Sequence, residues 1–217
     1  APVCYMPEPT WGNHAKVFQD AGVEVRRYRY LDEKTKTTLD YEGMKEDLLQ
    51  AESGSTILLH ACAHNPTGVD PTPDQWRAIS QKILEKGHHV LMDCAYQGFA
   101  SGDAEKDAFA IRLFVDAGHS LLLAQSFAKN FGLYGERVGT LSVLCKDKDE
   151  ASRVLSQLKL IINGLFGGMR AIMYITLLLL MVFYFYAILG MTVFMENDPW
   201  HFGNFGLSMV TLFRMAT

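Results

Sequence analysis

Cysteine is scarce and scattered in this chain: Cys4, Cys62, Cys94 and Cys145 are all of it, and no two form a C-x-x-C pair. That spacing excludes a disulfide framework and a cysteine-built zinc site, and it suits a reducing compartment. Basic runs are also missing. The 20 Lys and Arg are outnumbered by 24 Asp and Glu, for a net charge of -4, so nucleic acid is not expected as a partner. No internal repeat or low-complexity tract interrupts the 217 residues. The opening Ala-Pro-Val-Cys has no basic stretch with an apolar run behind it. A signal peptide is therefore not expected there, and the chain reads as starting inside a domain. The last scarcity is local. Charged residues make up 20% of the whole chain, yet beyond residue 159 only Arg170, Glu196, Asp198 and Arg214 carry charge. Two different solvents are implied for two parts of one chain.

Before residue 160 the sequence alternates. Residues 23–30, 56–60, 90–94 and 121–125 have the length and composition of strands. The last three are nearly continuous apolar runs, the pattern of strands buried on both faces. Between them lie helical patterns. Thr72-Pro73-Asp74-Gln75 predicts a capping box with proline at the first helical position. Behind it Trp76, Ile79, Ile83 and Leu84 fall on one face, and Gly87 closes the helix. Residues 107–117, followed by Gly118, repeat the plan. Strands alternating with helices predict an α/β domain with a mainly parallel sheet. Tyr28 and Tyr30 read as strand core or edge, and Cys62 and Cys94 as packing residues.

The final third is a different material. Residues 171–195 (AIMYITLLLLMVFYFYAILGMTVFM) contain no charge. A helix of about 20 apolar residues spans a bilayer, so this run predicts a single transmembrane helix. Lys159 and Arg170 precede it, while Glu196 and Asp198 follow it. The positive-inside tendency then puts its start, and the N-terminal domain, on the cytoplasmic side. Phe183, Tyr184, Phe185 and Tyr186 lie near the middle of the run rather than at its rim, which predicts packing against other helices. After the polar link ENDPWHFGN, residues 205–216 form a second apolar stretch. It is too short to span and suits a re-entrant or interfacial helix.

Three polar groups sit just past the ends of three predicted strands. His64-Asn65-Pro66-Thr67-Gly68 follows residues 56–60, Asp93 and Tyr96 close residues 90–94, and Ser126-Phe127-Ala128-Lys129-Asn130 follows residues 121–125. Open parallel sheets bind ligands at the carboxyl ends of their strands, so parallel neighbours would bring an amine, a carboxylate and an amide together. Such a set could do imine chemistry. His60 and His64 have the i, i+4 spacing of a zinc pair, but they straddle a strand end with no accompanying Glu, and no metal is expected. Singly, a lysine such as Lys129 is most often a solvated surface residue, and Asp93 alone reads as a helix cap.

The segments TWGNH, HACAHNPTG, DCAYQGFASGD and SFAKNFGLYGERVG decide for the functional reading, since they resemble, in order, motifs of the aspartate aminotransferase family, fold type I pyridoxal-phosphate enzymes. The resemblance covers residues 1–159 and implies part of that family's large domain, with pyridoxal 5′-phosphate as cofactor. It implies amino acid and 2-oxo acid substrates (aspartate and 2-oxoglutarate giving oxaloacetate and glutamate) and a homodimer. By the same resemblance Lys129 would bond the cofactor and shuttle the substrate proton, with its amine kept partly neutral. Asp93 would pair with the pyridinium nitrogen, and Tyr96 and Asn65 with the phenolic oxygen. Trp11 would stack on the ring, and Trp11 and Asn65 would lie near the substrate. Ser126 and Arg137 would hold the phosphate. His14 and His60 would support these groups, His14 from behind Asp93. The family's glycine-rich phosphate loop is expected upstream of position 1. Its small domain and carboxylate-gripping arginines are expected downstream, so these residues could bind cofactor and still fail to transaminate.

Residues 160–217 have another likeness. LIINGLFGGMRAIMYITLLLLMVFYFYAILGMTVF with ENDPWHFGNFGLSMVTLFRMAT is similar to the pore module of voltage-gated cation channels. Residues 160–170 match the linker into the fifth segment, 171–195 that segment, and 207–215 the pore helix. The filter motif that selects cations would begin at Thr217, and no arginine ladder is present. Three readings follow: a partial aminotransferase domain, a membrane cation-channel fragment, and a hybrid of two unrelated genes joined near residues 158–161.

Overall fold

The computed structural model describes residues 2–216, and the side chains of all of these except residues 170 and 171. Arg170, whose charge bears on membrane orientation, and Thr217, where the filter motif is expected, lie outside that description. The chain divides into two compact units, the first ending at Ala151 and the second beginning at Ser152.

The first unit is built on one six-stranded sheet. Its strands are β1 (Val3–Glu8), β2 (Glu24–Arg29), β3 (Thr56–His60), β4 (His89–Cys94), β5 (Leu121–Ser126) and β6 (Gly139–Leu144), in the order β2-β1-β3-β4-β5-β6. β1 to β5 are parallel, and β6 is antiparallel to β5. The chain steps one way from β1 to β2, then back the other way from β2 through β3 and β4 to β5. Crossovers between parallel strands are right-handed, so a reversal of direction sends the connecting helix to the opposite face. That is what the packing shows. Met44 and Leu48 of α2 (Tyr41–Gln50), Trp76, Ile79 and Ile83 of α3 (Pro73–Glu85), and Phe114 of α5 (Phe109–Asp116) share one core. Ala15 and Phe18 of α1 (Asn13–Asp20) pack on the other face, against Cys4, Met6 and Leu58.

Several local expectations meet their cause in this packing. The capping box is present: the Gln75 N–H donates to Thr72 Oγ1 at 3.3 Å, and the Thr72 N–H to Gln75 Oε1 at 2.9 Å. Trp76, Ile79 and Ile83 are buried, whereas Leu84 is exposed at the edge of the stripe. The helix predicted over 107–117 is α5, starting two residues later behind a single-turn α4 (Ala104–Asp107), and the Asp107 carboxylate at the end of α4 accepts backbone N–H groups of the preceding loop. Of the three strands read as buried on both faces, only β3 is. Val90, Met92 and Cys94 of β4, and Leu121 and Leu123 of β5, are buried, while Leu91, Leu122 and Ala124 are only half-buried. On that face α1, the helix of this unit, packs at β1 and β3, leaving the side of β5 and β6 partly open.

The second unit contains most of α6 (Lys148–Phe194), then α7 (Pro199–Phe202) and α8 (Phe205–Ala216). The predicted 171–195 run lies within α6, which extends well before it and ends at Phe194. Among its described residues the buried positions are Phe183, Ala187 and Gly190, spaced i, i+4, i+7 on one face. The Phe183 ring meets Phe213 edge-on at 6.5 Å. A Cβ on Gly190 would come within 2.6 Å of the Phe202 ring, so glycine permits that approach. Tyr184, Phe185 and Tyr186 are exposed, so of the four mid-run aromatics Phe183 alone is buried in the unit. α6 is long and apolar enough to cross a membrane, and its most apolar window is almost wholly exposed.

Candidate active site

Because β1 to β5 are parallel, their carboxyl ends lie along one edge. β6, being antiparallel, returns its first residue to that same edge. The loops after β1, β3, β4 and β5, and the loop before β6, enclose a cavity of about 320 Å³. This falls within the usual range of small-molecule sites, roughly 300–1,000 Å³. Asn65, Asp93, Lys129, Tyr96, Ser126, Arg137 and Trp11 all line it. So do His60, Cys62 and Gln125. His14 does not line it but touches Asp93 from behind.

The polar groups under the cavity form one ordered chain. An amide can only donate, so the Asn65 N–H donates to His60 Nδ1 at 3.4 Å. The neutral ring then carries its proton on Nε2, which donates to Thr10 Oγ1 at 2.9 Å. Thr10 in turn gives its own hydrogen to His14 Nδ1, also at 2.9 Å. That leaves His14 Nε2 as a donor, 3.3 Å from Asp93 Oδ2. His60 is neutral because burial pushes its imidazole down to about 4; Asp93 opposes that shift and His14 adds to it. His64 lies beside this chain, with its ring stacked on Tyr30 at 3.9 Å and Nδ1 bonded to Thr67. Burial, then His60 and His14, push His64 down to about 3.

Lys129 sits in the turn that follows β5. The Ala128 N–H donates to Ser126 Oγ at 3.3 Å, the Phe127 N–H to the Val138 carbonyl at 3.1 Å, and the Gly132 N–H to the Lys129 carbonyl at 3.1 Å. Lys129 Nζ lies 5.1 Å from the centre of the Tyr96 ring. Arg137 has φ +53° and Ala63 +45°. Left-handed backbone in non-glycine residues costs about 1–3 kcal/mol and concentrates at functional sites.

Sequence reasoning missed the groups that set the loops. Asp70 accepts the Ala63 N–H at 2.6 Å and the His64 N–H at 2.9 Å, which fixes the turn carrying Asn65. Burial raises the Asp70 carboxyl above the ordinary range, although these two bonds pull the other way. Asp107 accepts from Gly98 at 2.7 Å, and from Ala100 and Ser101 at 3.1 Å, behind Tyr96. Thr10 stands beside Trp11, within reach of the motif. Asp70 follows the NPTG turn by two residues and could have been suspected. Asp107 had no such signal. Cys62 and Cys94 are buried as packing residues, and the Cys94 thiol lies 3.9 Å from Gln97 Oε1.

The profile of the family described as aminotransferase class I and II matches residues 3–176. That of the ion transport protein family matches residues 150–217, so the two overlap over 150–176. The mitochondrial aspartate aminotransferase of Dictyostelium discoideum is 57% identical over 164 residues, which are 76% of this chain and 38% of that protein. The cytoplasmic aspartate aminotransferase of Oryza sativa subsp. japonica is 58% identical over 164 residues, 76% of this chain and 40% of its own length. Among solved structures, the putative aspartate aminotransferase of Leishmania major Friedlin superposes with a TM-score of 0.74 at 50% identity, over 76% of this chain and 41% of that one. An aromatic-amino-acid aminotransferase of Burkholderia pseudomallei, covalently bound to pyridoxal phosphate, superposes with 0.72 at 44% identity, over 75% and 40%. The chain spans about 40% of the length of the curated relatives it matches.

Proposed function

Since this chain belongs to the class I and II aminotransferase family, we propose that its cavity binds pyridoxal phosphate through Lys129 and serves amino-group transfer between aspartate and 2-oxoglutarate. The observation that carries this reading is the donor set around one cavity. An aldehyde needs an amine, and Lys129 is the lysine there. A pyridinium needs a carboxylate, and Asp93 is the carboxylate there. A phosphate needs hydroxyl and guanidinium donors, and Ser126 and Arg137 are both present. When bound, pyridoxal phosphate supplies the aldehyde and an electron-withdrawing ring.

The chain's own residues would do the rest. Lys129 would bond the cofactor aldehyde, then carry the proton on and off the substrate α-carbon. Asp93, fixed by the chain from Asn65 through His60, Thr10 and His14, would keep the ring N–H protonated. Tyr96 and Asn65 would donate to the cofactor oxyanion, while Trp11 covers the ring and, with Asn65, faces substrate. The cations lining the cavity are Lys129 and Arg137, and both are assigned to cofactor. A dicarboxylate substrate then lacks a guanidinium of its own. Misplacement by about 1 Å can cost a hundredfold, so these 217 residues should hold cofactor but transaminate poorly. A homodimer completing the site would follow the family's habit.

Borohydride reduction with peptide mapping tests this. The pyridoxyl mark should fall on Lys129 and vanish in Lys129→Ala. A mark spread over surface lysines would sink the site, and robust aspartate-to-oxoglutarate transfer would sink the claim of poor turnover.

A second reading rests on the ion transport match over residues 150–217 and on the exposed apolar length of α6. Residues 160–217 would then be a membrane segment resembling a cation-channel pore fragment, with residues 1–159 as the aminotransferase part on the cytoplasmic side. A fused transcript, or a hybrid of two genes without either activity, would account for both likenesses. Contiguous reads across the codons for residues 150–170 separate these origins.

A further inference from the structure

Below the cavity floor, His14, His60 and Asp93 each offer one ligand atom, and these atoms all lie within 4.8 Å of one another. We propose that the cofactor-free cleft binds a divalent transition ion of the zinc class on these three residues, and that ion and cofactor exclude each other. The exclusion alone rests on the cofactor reading above; the ion site stands on its own geometry.

Zinc binds imidazole nitrogen and carboxylate oxygen at about 2.0–2.2 Å in a tetrahedron, which sets ligand atoms roughly 3.3–3.5 Å apart. His14 Nε2 and Asp93 Oδ2 are already 3.3 Å apart, one edge of that tetrahedron. The third ligand has to close by no more than about 1.5 Å to reach the same length. All three residues stand on regular elements. His14 is in the first turn of α1, and His60 and Asp93 are register partners on β3 and β4. Their histidines are nearly buried, while His60 and Asp93 face the cavity, which leaves a fourth position for water. Two imidazoles, a carboxylate and an open position form a donor set suited to zinc or cobalt.

The hydrogen-bond chain accommodates the ion by a change of tautomer. With Nε2 of His14 on the metal, its proton moves to Nδ1, which donates to Thr10 Oγ1 instead of accepting from it. An outer hydrogen bond on the far nitrogen is what ligating histidines ordinarily keep. His60 turns Nε2 from Thr10 toward the ion and stays neutral by shifting its proton to Nδ1, which gives up the long 3.4 Å bond from the Asn65 N–H. This group differs from the i, i+4 pair visible in the sequence, because His14 and Asp93, rather than His64, stand beside His60. A dication on Asp93 cancels the negative charge that would hold a protonated ring nitrogen and repels that cation, so ion and cofactor compete even though the carboxylate has a second oxygen.

The test uses the full chain in detergent micelles, stripped of cofactor, with Co²⁺ as the probe. One Co²⁺ per chain is expected, with the visible bands of tetrahedral cobalt, no thiolate charge-transfer band, and displacement by Zn²⁺. His14→Gln and His60→Asn should each weaken binding at least tenfold, while His89→Asn, on an exposed histidine elsewhere, leaves it unchanged. X-ray absorption on the unaltered chain gives a readout free of variant misfolding: two imidazoles, oxygen donors and no sulfur. Zn²⁺-loaded protein should take up pyridoxal phosphate at least tenfold less well. Binding that persists in both histidine variants, sulfur in the coordination shell, or no stoichiometric ion would overturn the site. Ion and cofactor bound together would overturn the exclusion. Failure of Lys129 to trap cofactor would leave the ion result untouched.

Discussion

Thr10 has one hydroxyl between two histidines, and that position makes it a sensitive residue. Thr10→Val keeps the shape but strips both His14 Nδ1 and His60 Nε2 of their partner. Leaving such buried groups unpaired costs about 1–3 kcal/mol. Urea unfolding should register that loss, and retention of pyridoxal phosphate should fall by about tenfold, with Thr10→Ser restoring both. His119 offers a residue-scale test far from the cavity. It is buried, it shares a 2.8 Å bond with Ser80 Oγ, and burial pushes its imidazole down to about 4. An unfolded histidine titrates near 6.5, so on acidification the unfolded chain takes up the proton first. The stability held above pH 6.5 is therefore lost as pH falls toward 4. Between pH 7 and pH 5 this single group accounts for about 2 kcal/mol. His119→Gln keeps a donor for Ser80 but cannot titrate. The difference between its unfolding midpoints at pH 7 and pH 5 should shrink accordingly; an unchanged difference would show that His119 is not the source.

At the scale of elements, two carboxylates, half-buried Asp70 and buried Asp107, hold the loops that carry the site. In Asp107→Asn one oxygen becomes an NH2 that cannot accept, so the remaining oxygen keeps either the Gly98 and Ala100 N–H groups or that of Ser101, and the others lose their partner. Hydrogen bonds to a charged group contribute about 1.5–3 kcal/mol. A loss of that size is expected, with faster amide exchange confined to residues 98–101; exchange that quickens throughout the sheet would mean global loosening instead. Apolar patterning, by contrast, decides which elements could be read from sequence. β3 and β5 announce themselves by apolar runs, and α3 by its capping box and buried stripe. β1 (VCYMPE) has a proline and two polar-ended side chains, and β6 (GTLSVL) is half polar because its face is open, so neither was foreseen. α2 escaped because Gly43 and four acidic or basic residues dilute its stripe, although Asp40 caps it. Asn65, Asp93, Tyr96, Ser126 and Lys129 were legible since they follow or close predicted strands and parallel strands share an edge, whereas Trp11 and Arg137 came from the family resemblance alone. Thr10, Asp70 and Asp107 were not singled out: apart from His60, their partners lie within ten residues, but a polar side chain that bonds a loop backbone or a neighbouring ring leaves no periodicity to read.

At the scale of the molecule, one chain makes two incompatible demands on its solvent. The sheet carries most of the charge and ties its loops with water-tolerant ion pairs, such as Arg29 with Asp47 at 2.7 Å. α6 exposes Leu160, Leu165, Ile172, Leu177 and Leu189, each more than half open. Full burial of such a side chain is worth about 1.5–3 kcal/mol, so leaving a row of them in water is untenable without lipid or other apolar cover. Backbone hydrogen bonding raises no objection, since a helix satisfies its own. The full chain is therefore expected in the membrane fraction and to resist carbonate extraction. Residues 1–159 expressed alone should leave that fraction. They should not behave as an ideal monomer, however, because Leu141 and Leu144 of β6 are exposed on an edge strand, where unpaired backbone invites association. Sedimentation should show concentration-dependent self-association, and Leu141→Lys should lower it without moving the unfolding midpoint by more than about 0.5 kcal/mol, as for a surface change. A monomer at every concentration would mean that the β6 edge is protected, whereas a carbonate-soluble full chain would mean that α6 finds its cover within the protein.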